Sequence, residues 1–412
     1  MKITMMVGSF PSVSQQYIFN QMAALIDSGI ELDILASSPA RTPEFGGLVA
    51  QYGLMDRVRY AGVPESNLER LFLGLAKLLK LLVLAPGRTL KALNVSRYRT
   101  ASTSLKTIFY LDLLRKSEEI PLLHCHFGPM GLSGLFLKDL GLVRRLLVTF
   151  HGSDINSYPR RYGADVYAAL WRDADAFTAN TNFTAGKMRD NGCRADRISI
   201  HPVGLRPDSF PVREYSPDPE RFVLLTVGRL AEKKGHRYAL EAVARLEDAI
   251  PAERIRGLEY WIVGDGPLRR EIEGRIEALG LAGIVKMLGA RPSSEVKEFY
   301  HCCDLFLLPS VTASSGDMEG QGLVLQEAQA TGCPVLSTLH NGIPDGVLDG
   351  ETGLLVPEGD AEALARAIRE LAGDRDRLVR MGEAAAKFVR TRYDISRLNE
   401  QLTARYVYLL SR

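Results

Sequence analysis

Short runs of β-branched and aliphatic residues alternate with amphipathic helical runs from one end of the chain to the other, and the alternation restarts once. Such a pattern calls for parallel sheets covered by crossover helices, because parallel neighbours cannot be joined by a tight hairpin. In the first series, strands are predicted at Ile3–Val7, Leu32–Ala36, Leu122–His126, Leu146–Phe150, Ala176–Ala179 and Ile198–Val203. Between the first two, Ser14 can cap a helix whose Ile18, Phe19, Met22, Leu25 and Ile26 share one face, and Gly29 ends it. A second series follows, with strands predicted at Phe222–Val227, Tyr260–Val263, Val285–Leu288, Leu305–Pro309 and Pro334–Ser337. The fold class is therefore α/β, with parallel sheets, and the single restart points to two domains.

Between the two series, RPDSFPVREYSPDPE (206–220) is rich in proline and charge and lacks periodicity, so it reads as a linker. The expected domains are 1–205, 206–220 as linker, and 221–392. A length of 412 residues, 46% of them apolar and 24% charged, suits two such domains. A net charge of +2 gives no general affinity for nucleic acid, but residues 1–210 hold 25 Lys and Arg against 18 Asp and Glu. Five scattered cysteines without paired spacing point to buried thiols in a reducing cytosol rather than a zinc site or a disulfide framework. The opening MKITMMVGSFPSVS is too short in its apolar run for a signal peptide, and no 18-residue apolar span is free of charge.

Ligands of doubly wound sheets bind beyond the carboxyl ends of strands, so polar residues just past those ends carry the chemistry. In GRLAEKKG (228–235), Arg229, Lys233 and Lys234 offer cations at a strand-to-helix turn, suited to a diphosphate. It is no P-loop, and GDGPLRR (264–270) lacks the spacing of a dinucleotide fingerprint. In EGQGLVLQE (319–327), a Gly-Gln-Gly turn precedes a helix predicted to start at Leu323, whose free first-turn amides form an anion site. A carboxylate beside a diphosphate is repelled, so Glu319 and Glu327 are expected to read hydroxyls on either side of it. His151 ends an apolar strand in LLVTFHGSD and, with an ordinary pKa near 6.5, can act near neutral pH. His126 and His201 are weaker candidates of the same kind.

One region breaks the rhythm. Residues 68–116 mix leucine-rich helical runs with many Lys and Arg, a composition that fits either an anionic membrane surface or lipid-linked acceptor, or a helical pair with a solvated basic face.

Jointly, Glu-x7-Glu in EGQGLVLQE with EAQATGCPVL behind it, VGRLAEKKG, TFHG and NGIPDGVLDGETGLLVPEGDAEALA resemble a retaining glycosyltransferase of family 4. GSFPSVSQQYIF and PSVTASSGDMEG are most similar to members that build exopolysaccharide, colanic-acid-like polymers or lipopolysaccharide cores. The resemblance implies the GT-B fold, two Rossmann-like domains facing across a cleft, with a final helix, roughly 393–412, crossing back to the N-terminal domain. It further implies that Glu319 contacts the donor sugar and Glu327 the ribose, with Gly320, Gln321, Gly322 and Leu323 on phosphate and Arg229 and Lys234 on the diphosphate. His151 would touch the donor sugar or its phosphate, and Gly8 would let the first loop approach. Gly264, Gly266, Gly289 and Arg291 would bracket the base. Two places depart from the family pattern: Ser14-Gln15-Gln16-Tyr17-Ile18, where relatives often read Ser-Glu-Thr-Phe-Ile, and Asp345, where they commonly have Glu.

No Asp-x-Asp pair stands at a strand end, so no metal and no cofactor are expected, and the leaving diphosphate of a UDP- or GDP-sugar would be stabilised by Arg229, Lys234 and helix amides. The expected protein is cytoplasmic or peripheral on the membrane's inner face, with a saccharide or lipid-linked saccharide as acceptor. Two other readings stand beside it: a GT-B enzyme of another reaction, such as an epimerase or glucan synthase, and a silent nucleotide-sugar-binding scaffold.

Overall fold

A computed structural model describes residues 1–12, 15–40, 47–249 and 257–412, with two compact units: Met1–Gly204 together with Ile395–Arg412, and Leu205–Asp394. Ser14, the expected helix cap, lies outside the described residues.

The first unit runs β1 (Lys2–Phe10), α1 (Gln16–Asp27), β2 (Glu31–Pro39), β3 (Val58–Tyr60), α2 (Asn67–Leu84), α3 (Pro86–Ala92), α4 (Lys106–Leu114), β4 (Ile120–His126), α5 (Gly128–Asp139), β5 (Val143–Phe150), β6 (Ala176–Ala179) and β7 (Ile198–Ile200), with further helical segments between. Among the described residues its strands form one parallel sheet in the order β3-β2-β1-β4-β5-β6-β7. The order reverses between β1 and β4, the kind of switch point where the loops on either side diverge and leave a crevice. Two details differ from the sequence reading. Strand β3 escaped notice because its three residues carry no apolar run, and β7 stops at Ile200 rather than Val203 because Pro202 has no N–H to continue a ladder.

In the second unit β8 (Phe222–Val227), α6 (His236–Ala249), β9 (Leu258–Val263), β10 (Val285–Gly289), α7 (Ser293–Cys302), β11 (Leu305–Leu308), α8 (Leu323–Ala330), β12 (Val335–Thr338) and β13 (Gly353–Val356) precede α9 (Arg375–Arg392). Its parallel sheet has the order β10-β9-β8-β11-β12-β13, with the switch point between β8 and β11. Every residue of β8, β11 and β12 is buried, which explains why these strands read as unbroken apolar runs rather than alternating ones. The segment 206–220 holds no strand and is fastened along this unit: Arg213 N–H donates to the Thr331 carbonyl at 3.0 Å, and Tyr215 hydrogen-bonds Asp304.

The chain returns to the first unit as α10 (Ile395–Leu410). Leu398, Leu402, Tyr406 and Leu409 recur at helical spacing and are buried, the last three in the cluster holding Ile18, Met22 and Leu25 of α1. The Tyr406 hydroxyl also reaches His124 Nδ1 at 2.7 Å.

Candidate active site

At the β8/β11 switch point of the second unit, the loop Gly228–Gly235 meets the loop 311–322. Val311 N–H donates to the Lys233 carbonyl at 2.9 Å, and Lys233 Nζ reaches Asp317 at 3.2 Å and the Met318 carbonyl at 3.3 Å. Lys234 Nζ pairs with Glu319 Oε2 at 2.6 Å, with side chains only 12% and 14% exposed. Burial pushes the Glu319 carboxyl up, but the charges of Lys234 and Lys233 prevail and hold it below its ordinary value. Glycines make this close approach possible. Gly235 has φ +69°, and a Cβ there would stand 1.8 Å from the Pro309 carbonyl oxygen; at Gly264, φ +144°, it would stand 1.9 Å from that of Gly228.

Helix α8 begins at Leu323, as its spacing predicts, with Gly322 at φ +73° as its N-cap. Among the described residues no side chain caps it, so first-turn N–H groups are left for an anion. Because the helix starts at Leu323, Glu327 is its fifth residue and lies just past its first turn. Glu327 is half-buried and accepts from the Tyr300 hydroxyl at 2.9 Å. Its pKa is raised by burial, against the Tyr300 hydrogen bond and the charges of Lys297 and Lys234. Lys234 therefore acts on both glutamates.

The other donor-side positions fall as follows. Arg229 is exposed and has no ion-pair partner among the described residues. Gly320 and Gly322 flank Gln321, whose buried side chain turns onto Gln326. Gly266 packs against Leu230, where a Cβ would meet the carbonyl oxygen at 2.5 Å, and Gly289 takes φ +71° at the end of β10. Arg291 folds back onto the Leu288 carbonyl at 3.0 Å and onto Glu295 at 3.3 Å.

Sequence reasoning missed His340, two residues past β12. Its ring is buried, and Nε2 accepts from the Glu319 backbone N–H at 3.2 Å and from Asn341 Nδ2 at 2.8 Å. An accepting Nε2 leaves the proton on Nδ1, which donates to Glu358 Oε2 at 2.8 Å. Glu358 in turn accepts from the Thr312 N–H, and Asn341 Nδ2 also donates to the Glu319 carbonyl at 3.1 Å. The peptide carrying Glu319 is thus held at both its N–H and its carbonyl. The rule that picked His151, a polar residue past a strand end, would have found His340 had it been applied to β12.

In the first unit, His151 follows β5, as expected. The loop before α5 and the loop after β5 are joined by buried Asp154, whose carboxylate accepts from the N–H groups of Gly128, His151 and Gly152 at 2.9–3.0 Å. Burial nevertheless pushes the Asp154 carboxyl up to about 6. His151 Nε2 meets His126 Nδ1 at 3.1 Å, and its own Nδ1 is buried without a partner among the described residues. His124 lies beside His126, their ring centroids 4.6 Å apart, and His201 Nε2 reaches Gln21 at 3.1 Å. Burial, reinforced by neighbouring imidazoles, lowers His124 and His151 to about 3, and burial with Arg405 lowers His201 to about 4. The expected titration of His151 near neutrality is corrected accordingly: it is a neutral imidazole that can hydrogen-bond but carries no charge. Gly8 is corrected too, since β1 extends to Phe10 and places Gly8 inside the strand rather than in a loop. A Cβ at Gly8 would meet nothing within 4 Å.

Among known families, the one described as “Glycosyltransferase Family 4” matches residues 14–209, and “Glycosyl transferases group 1” matches residues 212–388. The chain is 34% identical over 408 residues to the putative colanic acid biosynthesis glycosyltransferase WcaL of Salmonella typhimurium, covering 98% of this chain and 99% of the relative. It is 31% identical over 411 residues to the amylovoran biosynthesis glycosyltransferase AmsK of Erwinia amylovora, covering 96% of each. Among solved structures, Anabaena Alr3699/HepE in complex with UDP is similar at a TM-score of 0.75 and 19% identity, over 99% of this chain and all of that one, a likeness of fold. A lipopolysaccharide outer core galactosyltransferase, WaaB, is similar at 0.68 and 16%, over 99% of each chain.

Proposed function

Because the chain belongs to glycosyltransferase family 4, we propose that it moves a sugar from a nucleoside-diphosphate sugar to a lipid-linked saccharide acceptor, with retention of anomeric configuration, in building an exopolysaccharide. The observation that carries this reading is the Lys234–Glu319 pair, 2.6 Å apart at the β8/β11 switch point, with exposed Arg229 on the same β8 loop and an uncapped helix start on the same β11 loop as Glu319. Relatives whose names assign them to colanic acid and amylovoran biosynthesis support the polymer class.

In this reading the diphosphate lies on the α8 amides, with Arg229 forking onto its oxygens and Lys234 using the N–H groups that Glu319 leaves free. Glu319 accepts from sugar hydroxyls and Glu327 from ribose hydroxyls. The bond from the anomeric carbon to the diphosphate breaks, and the acceptor oxygen bonds the same face. The acceptor's proton passes to the departing diphosphate, so no protein base and no metal ion is called on. Cationic donors aimed at the developing charge do the work, since they are oriented before the reaction and need no rearrangement.

The test is release of nucleoside diphosphate from UDP-, GDP- and ADP-sugars, with and without lipid-linked saccharides, in chelator. Arg229→Ala should lower kcat/KM by about 100- to 1,000-fold, the effect of removing one preorganised donor, about 2.7–4 kcal/mol. An unchanged rate removes Arg229 from the site, and activity abolished by chelator removes metal independence. Binding without any release marks a silent scaffold, an epimerised sugar marks an epimerase, and a product of inverted anomeric configuration overturns retention.

A further inference from the structure

Helix α2 has two apolar faces, and only one is packed. Gly74, Leu78 and Leu81 turn inward, where a Cβ on Gly74 would meet Leu105 Cδ1 at 2.7 Å and Phe109 Cε2 at 3.4 Å. At about 100° per residue, Leu68, Phe72, Leu75, Leu79, Leu82 and Val83 form a second stripe, roughly 100° wide and pointing away from the packed one. All six are exposed, Phe72, Leu79 and Val83 to 72%, 67% and 82%. Leu90 on α3 is exposed as well, at 63%. Lone surface leucines need no explanation, but a continuous stripe along an 18-residue helix does.

The surroundings say what covers it. Residues 67–116 contain ten Lys and Arg against two acids, Glu69 and Asp112. Asp112 is taken by Lys77 at 2.5 Å and Lys80 at 2.9 Å. Exposed Arg88 spends one N–H on the Arg115 carbonyl, and exposed Lys91 has no partner among the described residues. Lys91, next to exposed Leu90 on α3, and Lys80, half-exposed on α2 beside its partner Asp112, border these apolar residues, where long side chains can reach sideways to charge while the apolar residues point down. A second copy of this surface would bring the two cationic flanks together, so self-association is opposed. An anionic bilayer satisfies both features at once, with acyl chains for the stripe and phosphate for the flank. No described helix is long and apolar enough to cross a membrane, and α2, with Arg70, Lys77 and Lys80 within it, is built to lie in the interface.

We propose that the outward stripe of α2, continued by Leu90, docks the protein onto an anionic phospholipid surface. The proposal rests on the exposed face alone and not on glycosyl transfer. Co-sedimentation with vesicles of phosphatidylcholine carrying phosphatidylglycerol, and with phosphatidylcholine alone, tests it on the full chain. The protein should partition onto the anionic vesicles, and Leu68→Ser, Phe72→Ser, Leu79→Ser and Val83→Ser combined should lower that partition at least about tenfold. Arg88→Glu with Lys91→Glu should weaken it too, and added salt should do the same. Both variants change exposed side chains, so their melting temperatures and their nucleotide release with a water-soluble acceptor should match the parent. The idea is overturned if the parent binds neither vesicle, binds both equally, or binds undiminished in the four-serine variant. It is overturned also if light scattering shows a dimer that the serine substitutions split into monomers.

Discussion

Removing Lys234 should produce a loss of stability whose size depends on pH in a calculable way. Lys234→Ala leaves the Glu319 carboxylate, 14% exposed, without its 2.6 Å partner. Breaking a buried ion pair from one side commonly costs about 3–5 kcal/mol, because the remaining charge is stranded away from water. A carboxylate has an escape, since it can take a proton. With an ordinary pKa near 4.3, that costs about 3.7 kcal/mol at pH 7 but about 1 kcal/mol at pH 5. Protonation therefore caps the electrostatic part of the penalty, and the cap falls with pH. In the parent, Lys234 and Lys233 hold the Glu319 pKa below its ordinary value, so the pair's contribution is present above pH 4.5 and is lost as the pH falls through the folded value. The stability gap between parent and variant should be about 3 kcal/mol at pH 7 and about 1 kcal/mol at pH 5. Denaturant unfolding of both proteins across this range measures it, and the difference cancels every titration the two share. Lys234→Ala with Glu319→Gln should regain most of the stability, because no charge is left stranded, yet stay inactive for want of the cation. A gap that does not change with pH, or a double variant no more stable than Lys234→Ala, would show that Glu319 is not the buried partner and refute the reasoning.

His340 touches the Glu319 peptide only through its ring, so His340→Ala should lower kcat about 10- to 100-fold while donor KM moves little, as expected when a group made for the transition state is loosened rather than removed; a KM effect alone would count against it. The buried histidines make the first unit acid-sensitive. Their folded pKa values lie below the unfolded one near 6.5, so their contribution is complete above that pH and drains away as pH falls toward 4. At pH 5, His124 and His151, held at about 3, and His201, at about 4, each forfeit about 2 kcal/mol, whereas Asp154, raised to about 6, returns about 1 kcal/mol. The denaturation midpoint should drop sharply between pH 6.5 and 5, and a flat profile there would mean that these rings reach solvent.

The alternation of apolar runs, its single restart and the Gly-Gln-Gly turn before Leu323 were legible in the chain because each is a local property. A strand's unbroken burial or a helix's apolar face is written in spacing alone, and Gly322 announces a left-handed N-cap that few other residues tolerate. What side chains meet is not local. Lys233 and Asp317 stand 84 residues apart and touch only because β8 and β11 are neighbours in the sheet, an order that spacing does not reveal. The same tertiary choice assigns Lys234 to Glu319 and lets His340 brace the Glu319 peptide. Burial likewise settles charge: nothing in LLVTFHGSD distinguishes a titrating histidine from His151, held neutral by desolvation beside the neighbouring imidazoles. The reverse holds for α2, whose leucine-rich composition fits a membrane-facing and a packed helix alike. Only the packing of Gly74 against Leu105 decides which face is spent inside the unit, and so which one is left outward.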